Sequence, residues 1–445
     1  MTTNKLPLLI LGCATTAISA NAATPQQPNI VMLFADDLGW ADLGYVNPQF
    51  QTPNIDKLQQ EGTYFSRAYV STATSSPSRA SLLTGKEALR CGFTRHIYDD
   101  NDEGEFQSFV KDPRQMLSRA WLPSEETTYA ERLKETGYHT THVGKWHLGY
   151  EEYFPQTQGF DEVIGTAKYG HPKSYYSPFF VEGDPYPDAT KEDYLTDMIA
   201  SSTSDYIRQY DQKSPLLLNV WFYGVHGPHI GRKDLVEKYK KLGFSTQLAK
   251  YHAMVETLDS AVGKIRKALE ESGMAENTII VFSSDQGGAF SNNPLSGGKM
   301  GGNTLGEGGT RVPLIVYDPT SKPRVYGDPV QTIDLYPTFV EYATGKKCAD
   351  KQINGVSLIP VVEGKSLKSR DLFLHRSYED QHCAIINGDW KLVSYTSGKL
   401  QLFNIASDES ETTNLINVYP ELTKEMATRL DRWFEEAAPK EILTK

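Results

Sequence analysis

Short apolar runs typical of buried strands alternate with helical segments through most of this chain, and this alternation constrains its fold more than any other feature. Residues 29–34 and 278–282 are two such runs, and a long helical segment, 245–272, precedes the second. Strands that are apolar on both faces are typical of parallel sheets covered by helices. The pattern therefore predicts an α/β fold built on a largely parallel sheet.

The same alternation predicts the other elements and divides the chain into two parts. Helices are expected at 53–58, 76–83, 127–135, 196–210 and 333–343, and strands at 138–143, 215–222 and 311–317. After about Gly345 the pattern changes to short strands at 384–386, 390–395 and 400–403, followed by a helix at 419–435. We therefore expect a catalytic domain over 23–345 and a small C-terminal α+β subdomain, with an antiparallel sheet and a helix, over 346–445.

The first residues have the features of an export signal. Lys5 precedes an apolar run at 6–11, and small residues then lead to Ala20-Asn21-Ala22, an A-x-A cleavage pattern. This predicts a signal peptide over 1–22 and a periplasmic or secreted protein. A lipoprotein box at 10–13 is the weaker alternative, because it would leave a very short apolar region. No later segment approaches the roughly 20 apolar residues of a membrane helix, so we expect no membrane span.

The composition restricts the partners and the source of stability. The formal net charge is −11, which argues against nucleic acid as a partner. A polyanionic substrate would need a local basic site. Of the four cysteines, Cys13 lies in the predicted leader, and Cys91, Cys348 and Cys383 allow at most one disulfide. A disulfide framework therefore cannot stabilise this fold.

Oxygen-bearing side chains follow two of the predicted strands. Asp36 and Asp37 come after the first, and Asp285 and Gln286 come after the strand at 278–282. The carboxyl ends of parallel strands share one edge of a sheet, where the sites of this fold class lie. Three carboxylates and an amide form an oxygen site that suits Ca²⁺ or Mg²⁺ better than zinc. Either pair alone would instead be interpreted as a solvated turn.

Two further segments carry groups that suit an anionic substrate. Ser75 and Arg79 lie where a loop enters a helix, so that helix amides and a guanidinium can hold a tetrahedral dianion. Lys145 and His147 are two residues apart, which places them on one side of an extended segment. One can bind an anion while the other moves protons. By itself, the first segment is more typical of helix capping, and the second is more typical of surface residues.

Taken together, these residues resemble the sulfatase family of the alkaline-phosphatase superfamily. The segment from Ser75, SSPSRASLLTG, resembles the family signature of Cys or Ser, any residue, Pro, any residue and Arg. Further matches are NIVMLFADDLG from Asn29, GKWHLG from Gly144, GFDE from Gly159, VHGP from Val225, SSDQGG from Ser283, GGK from Gly297 and EGGTRVP from Glu307. They cover about 29–313, and GDWKLV from Gly388 resembles the family's C-terminal subdomain. The resemblance implies an alkaline-phosphatase-like large mixed, mostly parallel sheet between helices.

The resemblance also implies a role for each site residue. Asp36, Asp37, Asp285 and Gln286 would hold one metal ion, usually calcium, and Ser75 would be oxidised by a maturase to formylglycine, the nucleophile. Contacts to sulfate and proton transfer would fall to Arg79, Lys145, His147, His226 and Lys299. In this scheme His226 or Lys299 donates a proton to the leaving alcohol, and His147 is the base that regenerates the aldehyde.

Several positions depart from the family pattern or leave a choice open. Gln286 stands where Asn is commoner, which adds a methylene to a metal ligand. Seven residues separate Lys299 from Glu307, where four are usual. His229 follows His226 by three residues and is either a substrate contact or a loop residue. A serine at position 75 implies the radical, oxygen-independent maturation system of bacteria, or a replaced cysteine.

The sequence therefore predicts a sulfatase that acts on a sulfated carbohydrate. Specificity is expected from loops outside the motifs, and the candidate substrate contacts are Arg95, His96, Tyr169, His171 and His229. The alternative enzyme is a phosphatase or phosphodiesterase of the same superfamily. A third hypothesis is a catalytically silent protein that binds sulfated glycans through an unconverted Ser75.

Overall fold

The structure is a computed structural model that describes residues 1–2, 27–98, 104–300 and 302–443. The predicted signal peptide, apart from its first two residues, lies outside the described residues, as does Cys13.

The described elements are ten α-helices, seventeen strands and five short 3₁₀ turns. The helices are α1 Pro53–Glu61, α2 Ser75–Thr84, α3 Tyr129–Lys134, α4 Leu195–Gln209, α5 Lys233–Lys241, α6 Thr246–Glu271, α7 Glu307–Thr310, α8 Leu335–Thr344, α9 Ile359–Val362 and α10 Pro420–Ala437. The strands are β1 Asn29–Ala35, β2 Thr63–Phe65, β3 Ala68–Tyr69, β4 Phe106–Gln107, β5 Ser118–Arg119, β6 His139–Gly144, β7 Glu162–Ile164, β8 Leu216–Trp221, β9 Thr278–Ser284, β10 Arg311–Val312, β11 Leu314–Tyr317, β12 Arg324–Tyr326, β13 Val330–Gln331, β14 Asp371–Tyr378, β15 Gln381–Asn387, β16 Trp390–Tyr395 and β17 Leu400–Asn404. The 3₁₀ turns are Glu151–Tyr153, Pro155–Gln158, Ala275–Asn277, Thr332–Asp334 and Lys440–Ile442.

An eight-stranded sheet forms the centre of the fold, in the order β12-β2-β11-β9-β1-β8-β6-β7. Five consecutive strands, β9, β1, β8, β6 and β7, run parallel to one another, whereas β11 is antiparallel to both β9 and β2. The prediction of a large mixed, mostly parallel sheet between helices is confirmed.

The central strand β1 shows why the chain folds in this way. Val31 and Leu33 point into a core shared with α1, α4 and α6, while Ile30 and Met32 point into a core shared with α2, α3 and α8. Side chains alternate between the two faces of a strand. A strand with apolar residues at every position must therefore be covered on both faces, and helices cover both.

The prediction of a single strand at 311–317 is wrong, because the chain divides at Pro313. Arg311–Val312 pairs with β3 in a separate three-stranded sheet, whereas Leu314–Tyr317 joins the central sheet. Proline has no N–H to donate to a ladder, which favours a break at this residue.

The last part of the chain forms a four-stranded antiparallel sheet in the order β14-β15-β16-β17, with α10 packed against it. Its first strand, β14, was not among the predicted elements, and a bulge between His375 and Tyr378 interrupts its pairing. Cys91, Cys348 and Cys383 are all unpaired. Within the described part of the chain, no helix combines the length and apolar character needed to cross a membrane.

Candidate active site

The two oxygen-bearing pairs meet because β1 and β9 are adjacent and parallel. Ala35 pairs with Ser284 at the end of this ladder, so Asp36 and Asp285 leave the sheet side by side. One carboxylate oxygen from each of Asp36, Asp37 and Asp285 lies within 4.8 Å of the other two, and all three side chains are buried. The carboxyl edge of the sheet therefore carries a compact cluster of acidic groups, as the sequence predicts.

Backbone and amide groups fix the shape of this cluster. The Asp37 N–H donates to Asp285 Oδ1 at 3.1 Å, and Gln286 Nε2 donates to Asp37 Oδ1 at 2.6 Å. Asp37 has a φ of 62°, an uncommon backbone conformation for a residue other than glycine. The turn after β1 thus directs both consecutive aspartates into one site.

Ser75 reaches the cluster from the first turn of α2. This helix begins one residue earlier than predicted, with Thr74 as its N-cap. Ser75 Oγ lies 2.7 Å from Asp285 Oδ2 and 3.2 Å from Asp36 Oδ1. The positive end of the helix dipole also faces this position, which favours negative charge on the Ser75 oxygen.

Three cationic side chains offset the three carboxylates. Arg79, one turn after Ser75, places Nη2 2.9 Å from Asp285 Oδ2, and Lys145 Nζ lies 2.6 Å from Asp36 Oδ2. Lys299 Nζ hydrogen-bonds to Asp37. It does so despite the unusual spacing between Lys299 and Glu307.

These charges control the pKa values in the cluster. Burial acts to raise the pKa of Asp36, but Lys145, His226 and Arg79 outweigh it and hold that pKa at about 2. Burial likewise acts to lower the pKa of Lys299, but Asp37 and Asp36 raise it above the usual value for lysine. Asp36 is therefore ionised and Lys299 protonated at neutral pH.

The strand end that carries Lys145 is shaped by Gly144, which has a φ of 91°. A Cβ at this position would lie 2.2 Å from the Trp221 carbonyl oxygen, so only glycine fits. His147 follows with a φ of 59°, and its Nε2 is 2.9 Å from the Ile97 carbonyl oxygen. Burial and the neighbouring Lys145 hold the pKa of His147 well below its usual range, so the imidazole is neutral.

The structure separates the roles of the two candidate histidines after β8. His226 Nε2 lies 3.7 Å from Asp37 Oδ2, and its ring stacks on His171 with centroids 5.5 Å apart. His229 instead packs against the rings of Tyr251 and Phe290, at 5.6 and 4.9 Å. Burial lowers the pKa of both histidines. This geometry brings His226, and not His229, to the acidic cluster.

A cavity of about 430 Å³ opens above the cluster. Ser75, His147, His226, Gln286 and Lys299 line it. Arg79 and Lys145 do not; both are fully buried and contact the carboxylates. Arg79 and Lys145 are therefore placed to hold the carboxylates beside Ser75 and do not face the cavity.

The residues proposed as substrate contacts fall into two groups. His96 and His171 line the cavity. Arg95 is buried, donates to Gln107 Oε1 at 2.9 Å and stacks over the Tyr98 ring at 4.0 Å. Tyr169 contacts Glu182 and Phe180, and like His229 and Arg95 it is not among the residues that line this cavity. Arg95 is therefore placed to support Tyr98, a cavity residue, rather than to contact substrate.

The cavity residues that sequence reasoning missed include Arg376 and Tyr378 of the C-terminal sheet. Arg376 and Tyr378 come from β14 of the C-terminal sheet, some 300 positions after Ser75 in the chain, and both line the cavity. No motif marks this segment, and its strand was not predicted. Only the packing of the C-terminal sheet against the catalytic part brings these side chains to the site.

The acidic cluster has the chemistry of a site for a hard cation. Three buried carboxylates that each place one oxygen within 4.8 Å of the other two suit Ca²⁺ or Mg²⁺. Gln286 adds an amide whose oxygen and nitrogen can exchange places by a flip of the side chain. The donor set therefore fits the predicted ion, and Ser75 Oγ would lie beside it.

Comparison with known proteins agrees with this architecture. The family described as Sulfatase matches residues 28–345, and the family described as N-sulphoglucosamine sulphohydrolase, C-terminal, matches residues 303–436. The chain is 32% identical over 404 residues to N-acetylgalactosamine-6-sulfatase of Canis lupus familiaris, covering 84% of this chain and 73% of the relative. It is 30% identical over 503 residues to a sulfatase of Formosa agariphila, covering 92% and 89%.

Among solved structures, the chain is similar to Ps i-CgsB in complex with k-i-k-neocarrahexaose. The TM-score is 0.81 and the identity 27%, with 94% of each chain covered. With its parallel sheet, its acidic strand ends and its PSR-containing helix, this chain belongs to the sulfatase family. It is a sulfuric ester hydrolase.

Proposed function

We propose that this enzyme hydrolyses sulfate esters of a sulfated carbohydrate, using formylglycine formed from Ser75 and a divalent cation, calcium or alternatively magnesium. The observation that carries the proposal is the position of Ser75 Oγ at the floor of the cavity, 2.7 Å from Asp285 and 3.2 Å from Asp36. An oxygen held by two carboxylates and surrounded by cations suits attack on an anionic ester.

Conversion of Ser75 to formylglycine would allow the enzyme to complete repeated catalytic cycles. A serine sulfate ester would need a second attack at sulfur, whereas the aldehyde hydrate supplies one hydroxyl for attack and a second that expels sulfate. The conversion removes two hydrogens from Ser75 and requires a maturase, which we propose as a transient partner. Thr74 and Ser75 line the cavity, so the converted side chain would face the space for the substrate.

The proposed ligands of the cation are Asp36, Asp37, Asp285 and Gln286. When bound, the ion would lower the pKa of the attacking hydroxyl and polarise the sulfuryl oxygens. Lys145 and Arg79, which contact Asp36 and Asp285, fix the carboxylates in position.

The charge of each cavity residue determines whether it can bind sulfate oxygens, donate a proton or accept one. Lys299 is protonated, because Asp37 and Asp36 raise its pKa, and it can neutralise sulfate oxygens and donate a proton to the leaving alcohol. His147 and His226 are neutral, because burial lowers the pKa of each. Both can therefore accept protons. We assign His147 as the base that regenerates the aldehyde.

The substrate class rests on the relatives and on the cavity. N-acetylgalactosamine-6-sulfatase is named for a sulfated sugar, and Ps i-CgsB was solved with a carrageenan-type oligosaccharide. A cavity of about 430 Å³ lies in the range of about 300–1,000 Å³ that is typical of small-molecule sites. His96, Tyr98 and His171 add aromatic and imidazole surface to its wall, which suits a sugar ring.

Two measurements test the proposal. Mass spectrometry of the peptide that contains Ser75, after co-expression with a radical maturase, should show a loss of two hydrogens, and the Ser75→Ala protein should show none. Rates on matched sulfate and phosphate esters should favour sulfate in the converted protein. An unconverted Ser75 with tight glycan binding would indicate the silent binder, and faster phosphate release would indicate the phosphatase or phosphodiesterase.

We also propose that the chain is exported, with cleavage after Ala22, and that it comprises a catalytic domain over 23–345 and a subdomain over 346–445. Sequencing of the mature N-terminus from the periplasmic and culture fractions tests the first statement. A mature chain that starts at a lipid-modified Cys13 would contradict it.

A further inference from the structure

One arginine in the cavity wall has no ion-pair partner among the described residues, although Asp112 and Glu379 lie close enough to act on its pKa. Arg376 is 9% exposed, and its Nε and Nη1 atoms are buried with no hydrogen-bond partner. Among the residues that the structure describes, it forms no ion pair, whereas the site cations Arg79, Lys145 and Lys299 each contact an aspartate. Within the described part of the chain, Arg376 is therefore a cavity cation that no carboxylate contacts directly.

A buried guanidinium without a partner is unfavourable for folding unless another group satisfies it. An unpaired buried charge or donor lowers the stability of the folded state. Burial lowers the pKa of Arg376 to about 10, so the side chain remains charged at neutral pH. A residue of this kind at the wall of a substrate cavity is expected to receive its counter-charge from the ligand.

The backbone on both sides of Arg376 is held by hydrogen bonds to other segments of the chain. The His375 N–H donates to the Ser71 carbonyl oxygen at 3.1 Å, and the Glu379 N–H donates to the Lys111 carbonyl oxygen at 3.0 Å. The guanidinium carbon also lies 4.9 Å from the centre of the Tyr378 ring. These contacts hold the side chain at the cavity instead of leaving it free to extend into solvent.

The charge of Arg376 affects the pKa of another residue of the cavity wall. Burial, followed by Arg376, Arg95, Lys299 and Lys145, lowers the pKa of His96, a cavity residue, to about 3. Positive charge from Arg376 and Arg95 therefore reaches this wall of the cavity. This wall suits a ligand with negative charge at a second place.

We propose that Arg376 forms an anion-binding subsite that holds a second oxyanion of the sugar, a sulfate or a carboxylate, while the scissile sulfate ester lies at Ser75. The inference rests on the proposed function and narrows its substrate to sugars with two anionic groups. Both oxyanions offer paired oxygens to the planar guanidinium, so the chemistry is shared.

The test compares Arg376→Met and Arg376→Lys with the wild-type enzyme on a panel of positional isomers. The panel contains monosulfated sugars, the corresponding disulfated sugars and sulfated uronic acid disaccharides. Arg114→Met is the matched control, because Arg114 also stacks on an aromatic ring, Phe434 at 4.9 Å, but is not part of the cavity wall.

We expect Arg376→Met to lower kcat/KM on the preferred doubly anionic sugar about 10- to 100-fold, mainly through KM, because one charge-assisted contact is lost. Monosulfated sugars should change little, and Arg376→Lys should retain part of the preference. The disulfated and uronate substrates distinguish sulfate from carboxylate as the second group. Equal losses on singly and doubly anionic sugars, or no preference for a second anion in the wild type, would overturn the inference.

A binding measurement tests this subsite independently of the proposed reaction. Calorimetric titration of the Ser75→Ala protein, with and without Arg376→Met, measures affinity for the same sugars without turnover. A preference for the doubly anionic sugar that Arg376→Met abolishes supports the subsite even if no sulfate ester is hydrolysed. Unchanged affinity in the double variant would refute the subsite even if the wild type is an active sulfatase.

Discussion

Replacement of Lys145 by methionine tests the charge balance beside Ser75, the proposed nucleophile. Lys145 Nζ lies 2.6 Å from Asp36 Oδ2, and neither side chain has any exposed surface. Methionine has a similar length and leaves no large cavity, so the change removes mainly the charge. Asp36, which lies 3.2 Å from Ser75 Oγ, then retains Arg79 as a partner at 3.5 Å.

The expected magnitude follows from this geometry. At an effective dielectric constant of about 20, two unit charges 2.6 Å apart attract by about 6 kcal/mol. The desolvation of the lysine offsets part of this, and removal of one partner of a buried pair typically destabilises a protein by about 3–5 kcal/mol. We expect this loss in the metal-free protein, together with a rise in the pKa of Asp36 and a fall in kcat/KM of at least about 100-fold.

Urea unfolding in the presence of a chelator measures the first effect, and sulfate release by the metal-loaded, matured enzyme measures the second. Lys391→Met is the matched control, because Lys391 forms an equally buried pair with Glu307 at 2.9 Å outside the cavity. It should lose similar stability, while the folded enzyme remains active. Wild-type sulfate release by Lys145→Met would refute the role assigned to this lysine.

Three further predictions concern the metal, the histidines and pH. Calcium at 100 times its Kd should raise the unfolding free energy of the wild type by about 2.7 kcal/mol. Asp285→Asn should abolish this gain. Equal stabilisation of both proteins by calcium would contradict the assignment of Asp285 as a ligand. His226→Gln should lower kcat/KM about 100-fold or more. The ring of His229 packs on Tyr251 and Phe290, so His229→Gln should keep a kcat/KM near that of the wild type. Equal losses for the two variants in steady-state kinetics would contradict this assignment. Burial holds the pKa of His142 at about 3, below the 6.5 of an exposed histidine. The unfolded chain therefore gains a proton first as the pH falls, and stability present above pH 6.5 decreases by about 2 kcal/mol at pH 5. Urea titrations at pH 7 and 5 should show a correspondingly smaller loss for His142→Phe, and identical losses would contradict it.

The sequence by itself determined the sheet and the floor of the site. Strands that are apolar on both faces require helices on both sides, and parallel neighbours bring their carboxyl ends to one edge. Asp36 and Asp285 meet for this reason, since Ala35 pairs with Ser284. Ser75 and Arg79 are one helical turn apart, so local geometry alone places them together. These features depend on periodicity and short-range order, which a sequence displays directly.

The tertiary structure decided the walls of the cavity. Arg95 was predicted to contact substrate but packs beneath Tyr98, and His226 rather than His229 approaches Asp37. Arg376 reaches the cavity only because the C-terminal sheet packs against segments that precede it by hundreds of residues. Contacts between such distant segments depend on how whole elements pack, and no local pattern around Arg376 encodes that packing. Sequence therefore predicts the chemistry of this family's reaction, while packing decides which sugar reaches it.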